Sequence, residues 1–333
     1  MPEAVLSGRS GVVTIAGRPN SGKSTLLNHL VGEKVSIVTN KPQTTRNVIR
    51  GIVTRSEGQI VFLDTPGIHK PIHRMNDRMM KMVRNSLSDV DVLTLIVDCS
   101  VPFGGGDEYT LELLKSASLP TILLLNKIDK IEKQDLLPQI DRYSKLMEFQ
   151  HVIPISARTG QNVESYVAAI FNLLPEGPPH YPEDQISDQM ERNIAAEIIR
   201  EKLIDQTRDE LPYSAAVIID KFEEGESLHR IFATVFVERD SQKAIVIGKA
   251  GSMLKRIGTA ARRELESFFG VKIFLELHVK VSKDWRNDEA RLRDFGFSEY
   301  PNSYLRICSA KIIVSGNARQ WTESFRWTVI AFR

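Results

Sequence analysis

Cysteine is scarce: Cys99 and Cys308 are the two in 333 residues. Two thiols are too few for a disulfide framework and suit a reducing compartment. Cys99 closes an apolar run and reads as a small buried hydrophobe. Long apolar runs are also missing, and no stretch approaches the ~20 residues a membrane span requires. Met1 to Ser10 lack the apolar core of a signal peptide. Together these features lead to the expectation of a soluble, cytoplasmic protein. An excess of either charge is lacking too. Forty-four Lys and Arg against 42 Asp and Glu leave +2, so any nucleic-acid surface must be a local patch. What remains is an ordinary globular composition, with length for two cores.

The clearest feature present is Gly17-Arg18-Pro19-Asn20-Ser21-Gly22-Lys23-Ser24-Thr25. It matches the phosphate-binding loop pattern, and its flanks supply the context that pattern requires. Val12 to Ala16 reads as a buried strand and Leu26 to Leu30 as a helix start. Backbone N–H groups of such a loop converge on phosphate at a helix N-terminus. Lys23 is expected to reach the β- and γ-phosphates, and the Ser24 hydroxyl to sit on Mg²⁺.

Downstream segments complete a nucleotide site. Lys41-Pro42-Gln43-Thr44-Thr45-Arg46 is a candidate switch segment, with Thr45, or failing that Thr44, on the metal. Asp64-Thr65-Pro66-Gly67 ends the strand Gln59 to Leu63, forty-one positions after Lys23. An Asp there is a metal holder, and Gly67 lets the backbone approach the γ-phosphate. The apolar runs Val92 to Asp98 and Thr121 to Leu125 suit central parallel strands. The second leads into Asn126-Lys127-Ile128-Asp129. A carboxylate can accept both hydrogens on one edge of guanine, whereas adenine would leave it unpaired. Asp129 is expected there, Asn126 on the base's other edge, and Lys127 along the ring. Ser156 and Ala157 end a short strand, and their small side chains let a backbone N–H reach the purine oxygen. The helix Asn162 to Leu174 follows, and strands alternating with helices imply a doubly wound α/β sheet.

These segments in this order resemble a Ras-like GTPase. Ras-type proteins place glutamine after the Asp-x-x-Gly turn to orient the attacking water. This chain has Ile68, which can do no such thing. In related GTPases with an apolar residue here, a phosphate-loop asparagine helps hold potassium. The resemblance therefore implies K⁺ at Asn20, and Lys23, Thr45 and Asn20 are the expected catalytic set. His69 and His73 have no Cys or carboxylate cluster near them and read as mobile switch-loop residues rather than metal ligands.

A proline-rich stretch, 175–186, reads as a linker between a GTPase domain (1–174) and a second domain (187–297). Ser187 to Gln206 reads as a helix with Met190, Ile194, Ile198 and Leu203 on one face. Ala215 to Phe222 and Leu228 to Glu238 read as a hairpin, and Ala244 to Ile247 as a strand. The turn Gly248-Lys249-Ala250-Gly251, followed by a helix with Lys255 and Arg256, fits a KH clamp on single-stranded nucleic acid. The order suits an α+β KH domain of αββααβ form. Between Asp240 and Arg293, twelve Lys and Arg face seven Asp and Glu. That local excess exceeds the whole chain's.

A GTPase domain followed by a KH domain resembles the bacterial Era GTPases. Matching stretches are the phosphate loop through Asn28, Gln43-Thr44-Thr45-Arg46, Asp64 to Gly67, Asn126 to Asp129, Glu210-Leu211-Pro212-Tyr213-Ser214, Ile247 to Gly251 and Lys283-Asp284-Trp285-Arg286. The resemblance covers about Ser10 to Phe297. It implies GTP and GDP as ligands, Mg²⁺, and binding to the 3′ end of 16S ribosomal RNA. It also implies a role in 30S subunit assembly, a peripheral membrane-associated fraction and a monomer. Two alternatives stay open: an RNA-binding factor that scarcely hydrolyses GTP, and a related GTPase acting on another RNA. The extension 298–333, with Trp321 and Trp327, departs from the pattern.

Overall fold

The computed structural model describes residues 8–88, 90–208 and 211–297. The expectations for 298–333 and Cys308 lie outside these residues. The first half is a mostly parallel sheet in the order β2-β3-β1-β4-β5-β6. Its strands are β1 (Gly8–Ala16), β2 (Ile49–Arg55), β3 (Gly58–Asp64), β4 (Val92–Asp98), β5 (Thr121–Asn126) and β6 (His151–Ile155). Only the edge pair β2–β3 among these is antiparallel. β1, β3, β4 and β5 are buried on both faces, which explains why their sequences run apolar without alternation.

Helices cover both faces. On one, α1 (Lys23–Val31) and α5 (Val163–Leu173) bury Leu26, Leu27, Leu30, Tyr166 and Ile170 against Val13, Ile15 and Phe62. On the other, α2 (Arg74–Asn85), α3 (Gly105–Lys115) and α4 (Leu136–Leu146) bury Met80, Val83, Leu114 and Tyr143 against Leu93, Leu95 and Leu123. The fold is thus the expected doubly wound α/β sheet, and its strands deliver their carboxyl ends to one crevice.

The proline-rich stretch is no loose tether. Glu176–Gly177 (β7) pairs antiparallel with Gly8 and Arg9 of β1. The Gln59 carboxamide then clasps the next turn: Oε1 accepts from the N–H groups of His180 (2.8 Å) and Tyr181 (2.9 Å), and Nε2 donates to Tyr181 O. Ile52 N donates to Ile186 O at 2.9 Å. Proline removes donors, yet the residues between the prolines keep theirs, and the edge of the sheet uses them.

The second half contains α6 (Glu191–Gln206), α7 (Leu211–Ser214), β8 (Ala216–Glu223), β9 (Leu228–Val237), α8 (Asp240–Ile247), α9 (Ser252–Phe269), β10 (Lys272–Val281) and α10 (Glu289–Asp294). Its sheet runs β10-β9-β8, with β8–β9 antiparallel and β9–β10 parallel. Two expectations need correction. Met190 is not on the buried face of α6; it precedes the helix and is 62% exposed, while Ala195, Ile198, Ile199 and Leu203 are buried. Ala244 to Ile247 is helical rather than a strand. Gln242 Oε1 accepts from the N–H groups of Glu238 and Arg239 and caps that helix's start, and Val246 alone of the run is fully buried. A four-residue apolar run does not by itself separate strand from buried helix.

The halves meet in a joint core. Trp285 is fully buried among Met75, Met79 and Met82 of α2 and Leu292, Phe295 and Phe297. Its Nε1 donates to Ser214 O at 2.8 Å, as a buried indole requires. Trp285→Ala should therefore cost about 3–5 kcal/mol, read as a lower midpoint in urea unfolding.

Candidate nucleotide site and RNA-facing turn

A pocket of about 810 Å³ opens at the carboxyl edge of the parallel sheet. Arg18 to Thr25 of the phosphate loop, Val38 to Asn40 and Gln43 to Thr45 of the connector, Gly67, Asn126, Lys127, Asp129, Ala157 and Arg158 line it. At the loop's turn into α1, Gly22 has φ 103°, and a Cβ there would lie 2.2 Å from Asn126 Nδ2. No other residue fits. Lys23 lies beneath the loop, its Nζ donating to Arg18 O (2.9 Å) and Gly17 O (3.2 Å). Burial pushes its ammonium down to about 8, partly offset by Asp64. A phosphate of opposite charge would supply the solvation that burial removes.

Ser24, Thr45 and Asp64 come together. Ser24 Oγ donates to Asp64 Oδ2 at 2.6 Å and lies 2.8 Å from Thr45 Oγ1. Asp64 is completely buried, and burial raises its carboxyl above the ordinary range despite Lys23 and the hydroxyls of Ser24 and Ser36. Its Oδ1 has no hydrogen-bond partner. Two hydroxyls and an orphan carboxylate oxygen are the hard donors Mg²⁺ takes, with water and phosphate completing its shell. Thr44 is turned elsewhere, its hydroxyl paired with Thr39 Oγ1 and Lys41 O at 2.6 Å. Thr65 Oγ1 ties the next turn to Ile15 O at 2.9 Å.

At the base end, Ser156 Oγ donates to Asp129 Oδ1 (2.7 Å) and Arg158 Nη2 to Oδ2 (2.6 Å). The Ser156 bond, then Arg158, holds the Asp129 carboxyl below its usual range, so it stays an acceptor. Asn126 also has partners within the protein. Its Nδ2 donates to Ser21 O at 2.7 Å and its Oδ1 accepts from Ala157 N at 2.9 Å. It therefore joins the phosphate loop to the Ser156–Ala157 loop, and engages the N–H that sequence reasoning assigned to the purine oxygen. Lys127 Nζ donates to Asn20 O at 2.7 Å and pairs with Asp98.

Several residues escaped the sequence reading. Arg158 and the Arg18–Asp107 ion pair (2.7 Å) wall the pocket, and no short motif announces either. Arg46 was legible within its motif but not in its role: its guanidinium is buried against α7, donating to Pro212 O, Tyr213 O and Ala215 O at 2.7–3.1 Å. Ile68 is 1% exposed and packs with Met80 and Val83, turned away from the pocket.

On the second domain, Gly248 (φ 72°), Ala250 (φ 51°) and Gly251 (φ 77°) give the turn between α8 and α9 a left-handed backbone. Lys249 and Ala250 are exposed at its tip, and Lys255 and Arg256 are exposed in the first turn of α9. Arg256 Nε also donates to Gln206 Oε1 at 3.1 Å.

Two family models match this chain: one described as a 50S ribosome-binding GTPase over residues 12–127, and a KH domain over residues 210–286. The chain is 41% identical to an Aquifex aeolicus Era variant crystallised with GDP and AlF₄⁻ (TM-score 0.84). It is equally identical to Era crystallised with MgGDPNP and nucleotides 1506–1542 of 16S ribosomal RNA (TM-score 0.85). Each match covers 87% of this chain and 99% of the other. The chain belongs to the Era family of GTPases. In Era terms, the pocket is the nucleotide site and the 248–251 turn belongs to the KH domain. Asp129→Asn should shift base preference from GTP towards xanthosine triphosphate in competition binding; unchanged preference would remove Asp129 from base reading.

Proposed function

We propose that this chain is a GTP-hydrolysing switch that binds the 3′ end of 16S ribosomal RNA and acts in its processing and in 30S subunit assembly. One observation carries the reading: a guanine-type nucleotide pocket and a KH turn share one chain that is 41% identical, over 87% of its length, to Era bound to both ligands. Mg²⁺ would be held by Ser24, Thr45 and Asp64, stabilising charge on the phosphates. Gly17 to Thr25, with Lys23, would cradle the phosphates, and Thr65 to Gly67 would cover the γ end. Gly248 to Gly251, with Lys249, Lys255 and Arg256, would track the RNA backbone.

Contacts between the halves support the switch. Thr45 is flanked by Thr44, whose carbonyl accepts from Arg200 of α6, and by Arg46, held on α7. Val38 N donates to Glu201 Oε1 at 3.1 Å. Ordering Thr45 on metal and γ-phosphate would thus bear directly on two elements of the KH domain.

Potassium at Asn20 follows from Ile68, since the residue after Gly67 cannot orient water. Asn20 has a side-chain carbonyl of the kind that binds a hard cation, and its Nδ2 donates to Asn40 O at 3.1 Å. The burial of Ile68 also favours a second reading, an RNA-binding assembly factor with slow intrinsic turnover; GTPase assays with and without RNA separate the two. Family membership further leads us to infer a monomer that resides in the cytoplasm with a peripheral membrane fraction. Among the described residues no helix is long and apolar enough to cross a membrane.

Crosslinking in cells followed by sequencing should recover the 3′ end of 16S RNA; a scatter of messenger or transfer RNA would undo the proposal. Gly248→Asp should weaken binding to that RNA while leaving basal hydrolysis intact. Turnover should be faster in potassium than in sodium buffer, and equal rates would remove Asn20 from ion binding.

A further inference from the structure

His69 is not the mobile loop residue its sequence context suggests. Its Nδ1 lies 2.7 Å from Gly67 O, an atom that can only accept, so this nitrogen carries the proton. In the neutral ring Nε2 is then an acceptor, and two carboxamide NH₂ groups face it. They are Asn76 Nδ2, from the buried start of α2, and Gln43 Nε2 at 3.3 Å. One imidazole therefore joins the Gly67 turn, α2 and the connector that carries Thr45. The Gly67–Ile68 peptide is held at its other end as well, with Ile68 N donating to Gly17 O at 3.0 Å. Gly67 itself lies so close to the phosphate loop that a Cβ would approach Pro19 to 2.8 Å.

Gln43 is the unusual member of this set. It holds a left-handed backbone, φ 60°, which a glutamine rarely adopts. It lines the nucleotide pocket beside Thr44, Thr45 and Gly67, while His69 stands behind it outside the lining. We propose that Gln43 orients the water that attacks the γ-phosphate, with His69 as the residue that positions it. The inference rests on the GTP-hydrolysing reading above. Ile68 faces the core, so the place taken in Ras-type proteins by a glutamine after the turn lacks a carboxamide. Gln43 brings one to the same turn from the opposite side. Donation from Nε2 to the ring fixes which end of the carboxamide is which. Oε1 is left to accept from water, and the second Nε2 hydrogen to meet a γ-phosphate oxygen. Asn126 cannot serve, because Ser21 and Ala157 engage both its ends.

In the step itself a bond forms between the water oxygen and the γ-phosphorus. The bond to the bridging oxygen breaks, GDP keeps that electron pair, and the water's proton leaves with inorganic phosphate. Gln43 gains and loses no proton.

The test is steady-state hydrolysis by the full chain in Mg²⁺ and potassium. Gln43→Asn is the informative variant. Asparagine adopts left-handed backbone more readily than glutamine, so folding is preserved while the carboxamide falls one methylene short. It should lower kcat by about tenfold or more. KM for GTP and affinity for GDP should stay within about twofold, the pattern of an interaction made only in the transition state. His69→Ala should lower kcat to a similar level, and the double variant should be no slower than the worse single. Unchanged kcat in Gln43→Asn, or multiplying losses in the double variant, would overturn the proposal. So would loss of GDP affinity in step with kcat in His69→Ala, which would make that residue merely structural. An unaltered chain that fails to turn over would overturn the hydrolysing reading as well, which separates the two failures.

Discussion

A carboxylate with no exposed surface sits where β3 ends, and much of the first domain is arranged to make that tolerable. Burying a charge is costly unless charge and hydrogen bonds surround it. Asp64 has Lys23 as its cationic neighbour and takes hydrogen bonds from Ser24 and Ser36, yet one oxygen remains without a donor. The phosphate loop supplies Lys23 and Ser24, and the Ser24 hydroxyl in turn meets Thr45 from the connector. Three segments distant in sequence are therefore drawn to one anion, and a divalent cation with its phosphates would complete them.

The second domain takes hold of that arrangement through cations from both sides, Arg200 of its own and Arg46 and Lys34 of the first domain. Thr44 and Arg46, on either side of Thr45, are bonded to α6 and α7. Arg46 satisfies three carbonyls at once where α7 gives way to β8, and its ring neighbour is Trp285 at 6.0 Å. Lys34 of the first domain is likewise paired with Glu201 and Glu264 of the second. A guanidinium suits this work because its donors fan out in one plane and it stays charged when buried. The segment that carries Thr45 is thus shared between domains.

The nucleotide chemistry was legible because its spacing is dictated by a ligand. A loop, a metal holder and a base reader must occur at successive strand ends, and apolar runs marked those strands. What escaped the sequence depends on reach across the fold. Arg158, Asp107 and His69 act through partners 29, 89 and 26 positions away. Asn126 lines the pocket, but the bonds that its two polar ends make to Ser21 and Ala157 were not legible from its motif. The helix Asp240–Ile247 was missed because its last three residues, Ile245, Val246 and Ile247, are β-branched, whereas Gln242, a capping residue, decides the conformation.

The docking of the proline-rich stretch bears on how the two domains can move. Gln59 clasps that stretch near one end of β3, and Asp64 occupies the other end, about 17 Å away at strand spacing. Beyond the clasp, Ser187 Oγ donates to Arg50 O, Arg50 pairs with Asp188, and Gln189 Nε2 donates to Val35 O. The leash is stitched down almost to the first residue of α6. The free length of chain between the two domains is therefore very short. A rotation of α6 about its own start would therefore be passed to the rest of its domain with little slack lost in the tether.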